Sequence, residues 1–328
     1  MNQILINNFE LLVKQIKLDI DYSEKKDRLK NMFRLNSIMN VIRIIKSLDY
    51  QIIRANQLIG YKGIGKKSLK RIDEILQTGK LSEINNKNFN QVDLIDNLTS
   101  VFGIGRKTAY KLFKSYNINS IDELKKMYAE RHIVLPKQVI KGLKYTDMIS
   151  ESIPRNEMEL MTLILKNATL IVDPQLFGTT CGSYRRLKET SNDIDFILTH
   201  NKIITKSQAK ESNYLYKFIK ILKKEKFIID SLTSDKVSTK YMGICRLKKD
   251  LPLRRIDIRF IPYQSYYFAL LYFTGSKELN QRMRLLASNM GYVLNEYGLF
   301  GANDKFDVKS EKDIFDLLGM EYLTPSER

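Results

Sequence analysis

Apolar side chains recur at helical spacing through the first part of the chain. Phe9, Leu12, Val13 and Ile16 form one stripe, and Ile38, Val41, Ile42 and Ile45 form another, three or four residues apart as on one face of an amphipathic helix. Residues 1–90 therefore read as helical. Leu69, Ile72, Ile75 and Leu76 repeat on a helix that stops at Thr78-Gly79, and Ala109, Leu112 and Phe113 on a further one. Ser120-Ile121-Asp122-Glu123 is a capping box that opens another. Ile153-Pro154-Arg155 marks a boundary, with Pro154 in the first turn of a helix running to about Lys166.

Beyond residue 167 the period shortens. Ile194, Phe196 and Leu198 alternate with Asp193, Asp195 and Ile197, and Ile256, Ile258 and Phe260 alternate with Arg255, Asp257 and Arg259, which is the two-residue period of a strand. Residues 227–229 and 241–246 read as further strands, and Leu215, Phe218, Ile219 and Leu222 share a helix face. A helix from about Lys277 and a last one, capped by Ser310-Glu311-Lys312-Asp313 and ending near Gly319, complete the pattern. The order predicts an α+β multidomain chain: an all-α region first, then a mixed or antiparallel sheet with helices.

Composition narrows the setting. The 328 residues are 43% hydrophobic and 28% charged, a globular balance long enough for two or more units. Fifty-five basic against 37 acidic side chains leave a formal charge of +18, which favours an anionic partner. No apolar stretch reaches the ~18 residues of a membrane span, and the first residues lack the regions of a signal peptide. Two cysteines, Cys181 and Cys245, and two histidines, His132 and His200, make no metal-ligand spacing. The thiols read as core residues and the histidines as loop positions. A reducing, intracellular setting is expected: the nucleus of a eukaryotic cell, or a cytoplasmic replication site or virion for a viral chain.

The chemistry concentrates in residues 181–195, read as C-G-S-Y-R-R-L-K-E-T-S-N-D-I-D. Asp193 and Asp195 point to one side of a strand, where their mutual repulsion is relieved by a divalent cation. The Gly182-Ser183 turn offers N–H groups and a hydroxyl to phosphates, and Arg186 follows. A D-x-D strand is also a common solvated face, so a third carboxylate is needed. Asp257 supplies it if its strand lies beside the first.

A repeat points to the other substrate. Gly63-Ile64-Gly65-Lys66-Lys67 precedes one helix, and forty residues on (103 − 63) Gly103-Ile104-Gly105-Arg106-Lys107 precedes another. The pattern is a helix–hairpin–helix, whose helix N-terminus and adjacent Lys67, Arg106 or Lys107 suit a DNA phosphate without reading sequence. A monovalent cation, Na⁺ or K⁺, can be shared with hairpin carbonyls, those of Ile59, Tyr61 and Ile64 in the first copy and Thr99, Val101 and Ile104 in the second. The basic run Lys25, Lys26, Arg28, Lys30 and Arg34 adds to the same charge.

Taken together, G-I-G-K-K at 63–67, G-I-G-R-K at 103–107, C-G-S-Y-R-R at 181–186, D-I-D at 193–195, R-R-I-D-I-R at 254–259, Y-F-T-G-S at 272–276, N-E-Y at 295–297 and S-E-K-D-I-F-D at 310–316 resemble the family X DNA polymerases, from about residue 30 onward. No BRCT-type module is expected ahead of them. The resemblance implies a helical lyase-type domain over 1–88, a DNA-binding subdomain over 89–152, a catalytic palm over 153–262 and a nucleotide-selection subdomain over 263–328. It implies that Asp193, Asp195 and Asp257 hold two Mg²⁺ ions, with Mn²⁺ as a substitute. Gly182, Ser183, Arg186 and Asn192 would meet the dNTP phosphates, and Tyr272, Phe273 and Gly275 its sugar. Asn280 and Arg284 would read the minor-groove edge of the new pair. Arg255, Arg259, Glu296 and Tyr297 would form a network that rearranges on closure.

Three positions depart from the family. Its Schiff-base lysine falls at Arg71, a poor amine nucleophile, with Lys67 and Lys70 as imperfect substitutes, so weak 5′-deoxyribose-phosphate lyase activity or none is expected. Its glycine before D-x-D is Asn192, and Lys277 stands where relatives carry an acid. The implied activity is gap-filling, template-directed synthesis in base excision repair by a monomer on gapped or nicked double-stranded DNA, alongside a ligase or other repair proteins. The rival readings are a template-independent nucleotidyltransferase on the same palm and a DNA-binding protein with an inert palm.

Overall fold

The computed structural model describes residues 2–22, 25–84, 89–149, 151–233, 237–301 and 306–328. The chain divides into two compact units, Met1–Leu143 and Lys144–Arg328.

The first unit is helical. Helices α1 (Gln3–Tyr22) and α2 (Lys25–Ser47) pair along their length, and α3 (Lys66–Thr78) packs against α1. Their core is the pattern the sequence predicts: Phe9, Leu12, Ile16, Ile38, Val41, Ile45, Ile72 and Ile75 are all buried. The side chains of Lys25, Lys26 and Arg28 lie outside the described set. Helices α4 (Phe89–Thr99), α5 (Arg106–Tyr116), α6 (Ile121–Ala129) and α7 (Lys137–Tyr145) enclose a second core around Ile95, Leu98, Val101 and Leu124. The Ser120 hydroxyl accepts from Glu123 N at 3.0 Å to cap α6.

The second unit is built on a sheet. Strand β1 (Ile153–Pro154) leads into α8 (Arg155–Val172), followed by β2 (Leu176–Thr180), the short helix α9 (Gly182–Arg185), β3 (Thr190–Ser191) and β4 (Ile194–His200). Helices α10 (Lys206–Glu211) and α11 (Tyr214–Lys224), then β5 (Ile228–Ser231), β6 (Lys240–Cys245) and β7 (Arg254–Phe260), complete it. The five-stranded order is β2-β4-β7-β6-β5, antiparallel except for the parallel β4–β7 pair, and β1 pairs with β3 separately. Ile194, Phe196, Leu198, Ile256, Ile258 and Phe260 form one face, buried with Met161 and Leu165 of α8 and Phe218 and Leu222 of α11. Two expectations are corrected here. Helix α8 runs past Lys166 to Val172, because Leu165, Ala168 and Thr169 continue its buried face. His200 is not a loop residue: it ends β4, is buried, and stacks on Tyr214 at 4.7 Å.

The remaining elements are α12 (Tyr266–Thr274), α13 (Lys277–Asn289), the hairpin β8 (Val293–Asn295) and β9 (Gly298–Phe300), and α14 (Glu311–Leu317). Phe268, Leu271, Met283, Ile314 and Phe315 make their core. Both cysteines are buried free thiols, and burial raises both pKa values.

Candidate active site

With Ile194 and Phe196 committed to the core, Asp195 must face the opposite side of the sheet. Strand β7 lies parallel to β4 in a register that sets Asp257 directly opposite Asp195. Ile197, two residues on, packs against Ala269 and Leu270 of α12, so this face is covered at one end and open at the aspartates. Cys181 N donates to Asp195 O at 2.8 Å and brings α9 alongside. Gly182 has φ +58°, and a Cβ there would lie 2.7 Å from Asp195 Oδ2. Both facts require glycine.

Two carboxylates in this position interact strongly. Burial, and then the charge of Asp257, push Asp195 up to about 7, against Arg259 and Arg186. Burial also raises Asp257, against Arg255, Arg259 and Lys240. Asp257 Oδ1 is buried without a hydrogen-bond partner. A cation is the ligand that such a donor set fits, since it relieves the burial cost and the repulsion together. Asp193 is placed differently. Its Oδ2 accepts from Arg255 Nη2, and among the described residues no three His, Cys, Asp or Glu side chains converge as a metal-holding group.

A cleft of about 570 Å³ opens beside the aspartates, lined by Gly182, Ser183, Arg186, Asn192, Asp193 and Asp195 on one side and by Tyr272, Phe273, Gly275, Asn280 and Arg284 on the other. Ser183 Oγ donates to Ser191 Oγ at 2.8 Å, and Arg186 Nη1 to Thr274 O at 2.5 Å. Asn280 Nδ2 donates to Tyr272 O at 2.7 Å, and the Arg284 guanidinium lies 4.9 Å from the centre of the Tyr272 ring. Asn192 is exposed at the rim and is not among the positive-φ residues, so the backbone here does not demand the family's glycine. Lys277 also lines the cleft. Thr274 and Gln281 line it too and were not singled out from the sequence, although each adjoins a residue that was.

The four residues expected to form a network are spread around this centre. Arg255 holds Asp193, and Arg259 stands over the Phe273 ring at 5.6 Å. The Tyr297 ring carries Lys206 Nζ at 3.8 Å, while Tyr297 O accepts from Ser265 Oγ. Burial raises the Tyr297 phenol, Glu296 adds to the rise and Arg259 opposes it.

In the first unit the two glycine repeats adopt one geometry. Ile64 N donates to Tyr61 O at 3.0 Å and Ile104 N to Val101 O at 3.0 Å; Gly63 and Gly103 have φ +98° and +88°. Gly65 and Gly105 are the N-caps of α3 and α5. A glycine cap brings no side chain over the first helical N–H groups, which leaves them open to an anion. Lys67, Lys70 and Lys107 are exposed, whereas Arg106 pairs with Asp96 at 2.5 Å. Ile59 and Thr99 hold equivalent positions in the two sequence repeats, one residue after Leu58 and Leu98. Arg71, on α3, is engaged by Glu83, which also pairs with Arg34 at 3.0 Å.

A mixed sheet with opposed aspartates and a glycine-led turn beside them make a polymerase-type palm, faced across the cleft by an aromatic wall from the segment that follows it. The chain belongs to the family X DNA polymerases: residues 152–263 match the DNA polymerase beta palm, 269–328 the DNA polymerase beta thumb and 10–81 a helix-hairpin-helix domain. It is 33% identical to DNA polymerase lambda of Arabidopsis thaliana, over 89% of this chain and 57% of the relative. It is 28% identical to DNA polymerase lambda of Rattus norvegicus, over 88% and 51%. DNA nucleotidylexotransferase of Xenopus laevis is 27% identical, over 100% and 68%. The chain thus spans a little over half the length of the two lambda relatives.

Proposed function

We propose that the protein is a template-directed, gap-filling DNA polymerase that transfers a dNMP to a primer 3′-hydroxyl in DNA repair. The observation that carries this reading is the register of Asp195 opposite Asp257 beside the cleft. Asp193, Asp195 and Asp257 are the residues that would hold two Mg²⁺ ions, with Mn²⁺ as a substitute. Bound there, the ions supply Lewis-acid stabilisation of the attacking and leaving oxygens.

The chain's own groups do the rest. Ser183, Arg186 and the N-terminus of α9 bind the phosphates. Tyr272, Phe273 and Gly275 orient the sugar and exclude water. Asp257 Oδ1 is the acceptor for the 3′-hydroxyl proton. The two hairpins grip the DNA backbone, with Na⁺ or K⁺ at their carbonyls. Asn280 and Arg284, on the same face of α13 beside Tyr272, favour a templated reaction over a template-independent one. Lyase chemistry is left out, because Arg71 offers a guanidinium in place of an amine and is held by Glu83.

Primer extension with Mg²⁺ and each dNTP singly, on a one-nucleotide gap and on a single-stranded primer, tests the reading. Incorporation of the complementary nucleotide at the gap is expected. Equal use of all four dNTPs on the single strand would establish the template-independent reaction instead. No incorporation on either substrate would leave an inert palm.

A further inference from the structure

Glu311, the first residue of α14, is only 6% exposed, yet it carries a charge. Its Oε1 accepts from Arg185 Nη1 at 2.9 Å and from Arg328 Nη1 at 2.6 Å, and its Oε2 accepts from Arg185 Nη2 at 2.6 Å. A carboxylate so deeply placed is tolerable only with such partners. Arg328 is more enclosed still. Its side chain is 0% exposed, its guanidinium lies 5.4 and 5.7 Å from the Phe315 and Tyr322 ring centres, and its Nε donates to Leu323 O at 2.9 Å.

The other end of this relay reaches the cleft. Arg185 Nη1 also donates to Thr274 Oγ1 at 2.7 Å, and Arg186, the next residue, donates to Thr274 O. Thr274 is fully buried and lines the cleft, as Arg186 does. A continuous set of charge-assisted bonds therefore runs from Arg328 through Glu311 and Arg185 to the two elements that face each other across the cleft, α9 and the end of α12. Bonds of this kind are stronger than neutral ones.

We propose that Arg328 and Glu311 are positioning residues for the cleft: they hold Arg185, and with it α9 and Thr274, in the arrangement that presents Ser183 and Arg186 to a nucleotide's phosphates. The nucleotide is taken from the function proposed above; the relay itself is not. A planar guanidinium suits a slot beside two rings better than an ammonium, so lysine is a partial replacement for Arg328.

The test compares Arg328→Ala, Arg328→Lys and Glu311→Gln with the wild type by hydrogen exchange and by gap-filling kinetics. In Arg328→Ala and Glu311→Gln, exchange over residues 181–187 and 272–276 is expected to quicken about tenfold, with that over β6 and β7 unchanged. KM for the nucleotide should rise about tenfold with little change in kcat or in affinity for DNA, and Arg328→Lys should lie between the variants and the wild type. Unchanged exchange at 181–187 in both Arg328→Ala and Glu311→Gln would overturn the relay. So would an unchanged KM in an active enzyme. If the wild type incorporates nothing, the proposed function fails and exchange alone decides the relay. If Arg328→Ala does not fold, Glu311→Gln and Arg328→Lys provide the same readouts.

Discussion

The Arg71 guanidinium embraces a single carboxylate, that of Glu83, through Nε and Nη2, the latter at 3.1 Å. Arg34 reaches the same Glu83 oxygen at 3.0 Å. The position at which the family carries its amine nucleophile is thus closed twice over: by a guanidinium in place of an amine and by a carboxylate that pairs with it. Borohydride trapping on incised abasic DNA should yield little or no crosslink. A strong crosslink abolished by Lys70→Ala would show that the neighbouring amine has taken over. Arg71→Lys alone should restore little, because Glu83 keeps the new amine paired and charged.

Asp257→Ala should abolish incorporation. Several kcal/mol of charge stabilisation correspond to roughly a thousandfold in rate, so gapped-substrate turnover should fall at least that far. A variant that extends primers at the wild-type rate would remove Asp257 from the chemistry.

Binding to gapped DNA should weaken steeply with salt, log K falling by about 0.9 per phosphate neutralised. Lys67→Ala and Lys107→Ala should each flatten that slope by about one unit and act alike on all sequences. A nearly flat salt dependence in the wild type would exclude a phosphate grip by the hairpins.

Arg254 and Glu157 are both buried, joined at 2.9 and 2.7 Å, with Arg254 Nη1 also donating to Glu151 O at 2.9 Å. Glu157→Ala leaves a buried guanidinium without its anion and should cost about 3–5 kcal/mol in denaturant unfolding. Replacing both residues with methionine should cost much less. Equal losses would show that the packing, and not the charge pair, matters.

Burial would raise the pKa of Glu311, but its bonds to Arg185 and Arg328 outweigh that and hold it below the ordinary 4.5. A lowered folded value means that the unfolded chain takes up the proton first as the pH falls. The contribution is therefore complete above the unfolded value and is lost as the pH drops through the folded one. In stability measured against pH, the wild type should decline below about pH 5 by up to ~1.4 kcal/mol per unit more steeply than Glu311→Gln. Parallel curves would show that Glu311 does not contribute.

Much of this architecture is written in local pattern. The alternation around Asp195 and Asp257 names which side chains enter the core, and the glycine spacing at 63–65 and 103–105 marks two hairpins whose positive φ, at Gly63 and Gly103, only glycine adopts readily. What the pattern does not carry is pairing at a distance. Nothing near Asp193 announces Arg255, nothing near Arg71 announces Glu83, and nothing around Arg185 announces Glu311, 126 residues on. Ion pairs leave no periodic trace, because one charged residue on a surface position looks like any other. His200 was misplaced for a related reason: its burial depends on stacking against Tyr214, which lies on a later helix.

The parallel pairing of β4 with β7 also joins distant parts of the chain. Its two aspartates are 62 residues apart in the chain (257 − 195), and β7 lies between β4 and β6 in the sheet. Contacts at such separation carry the entropic cost of closing a long loop. A piece of chain that ends before β7 holds Asp195 without Asp257, and so lacks the repulsion between those two. The acid pair is thus a property of the assembled sheet and of neither strand alone.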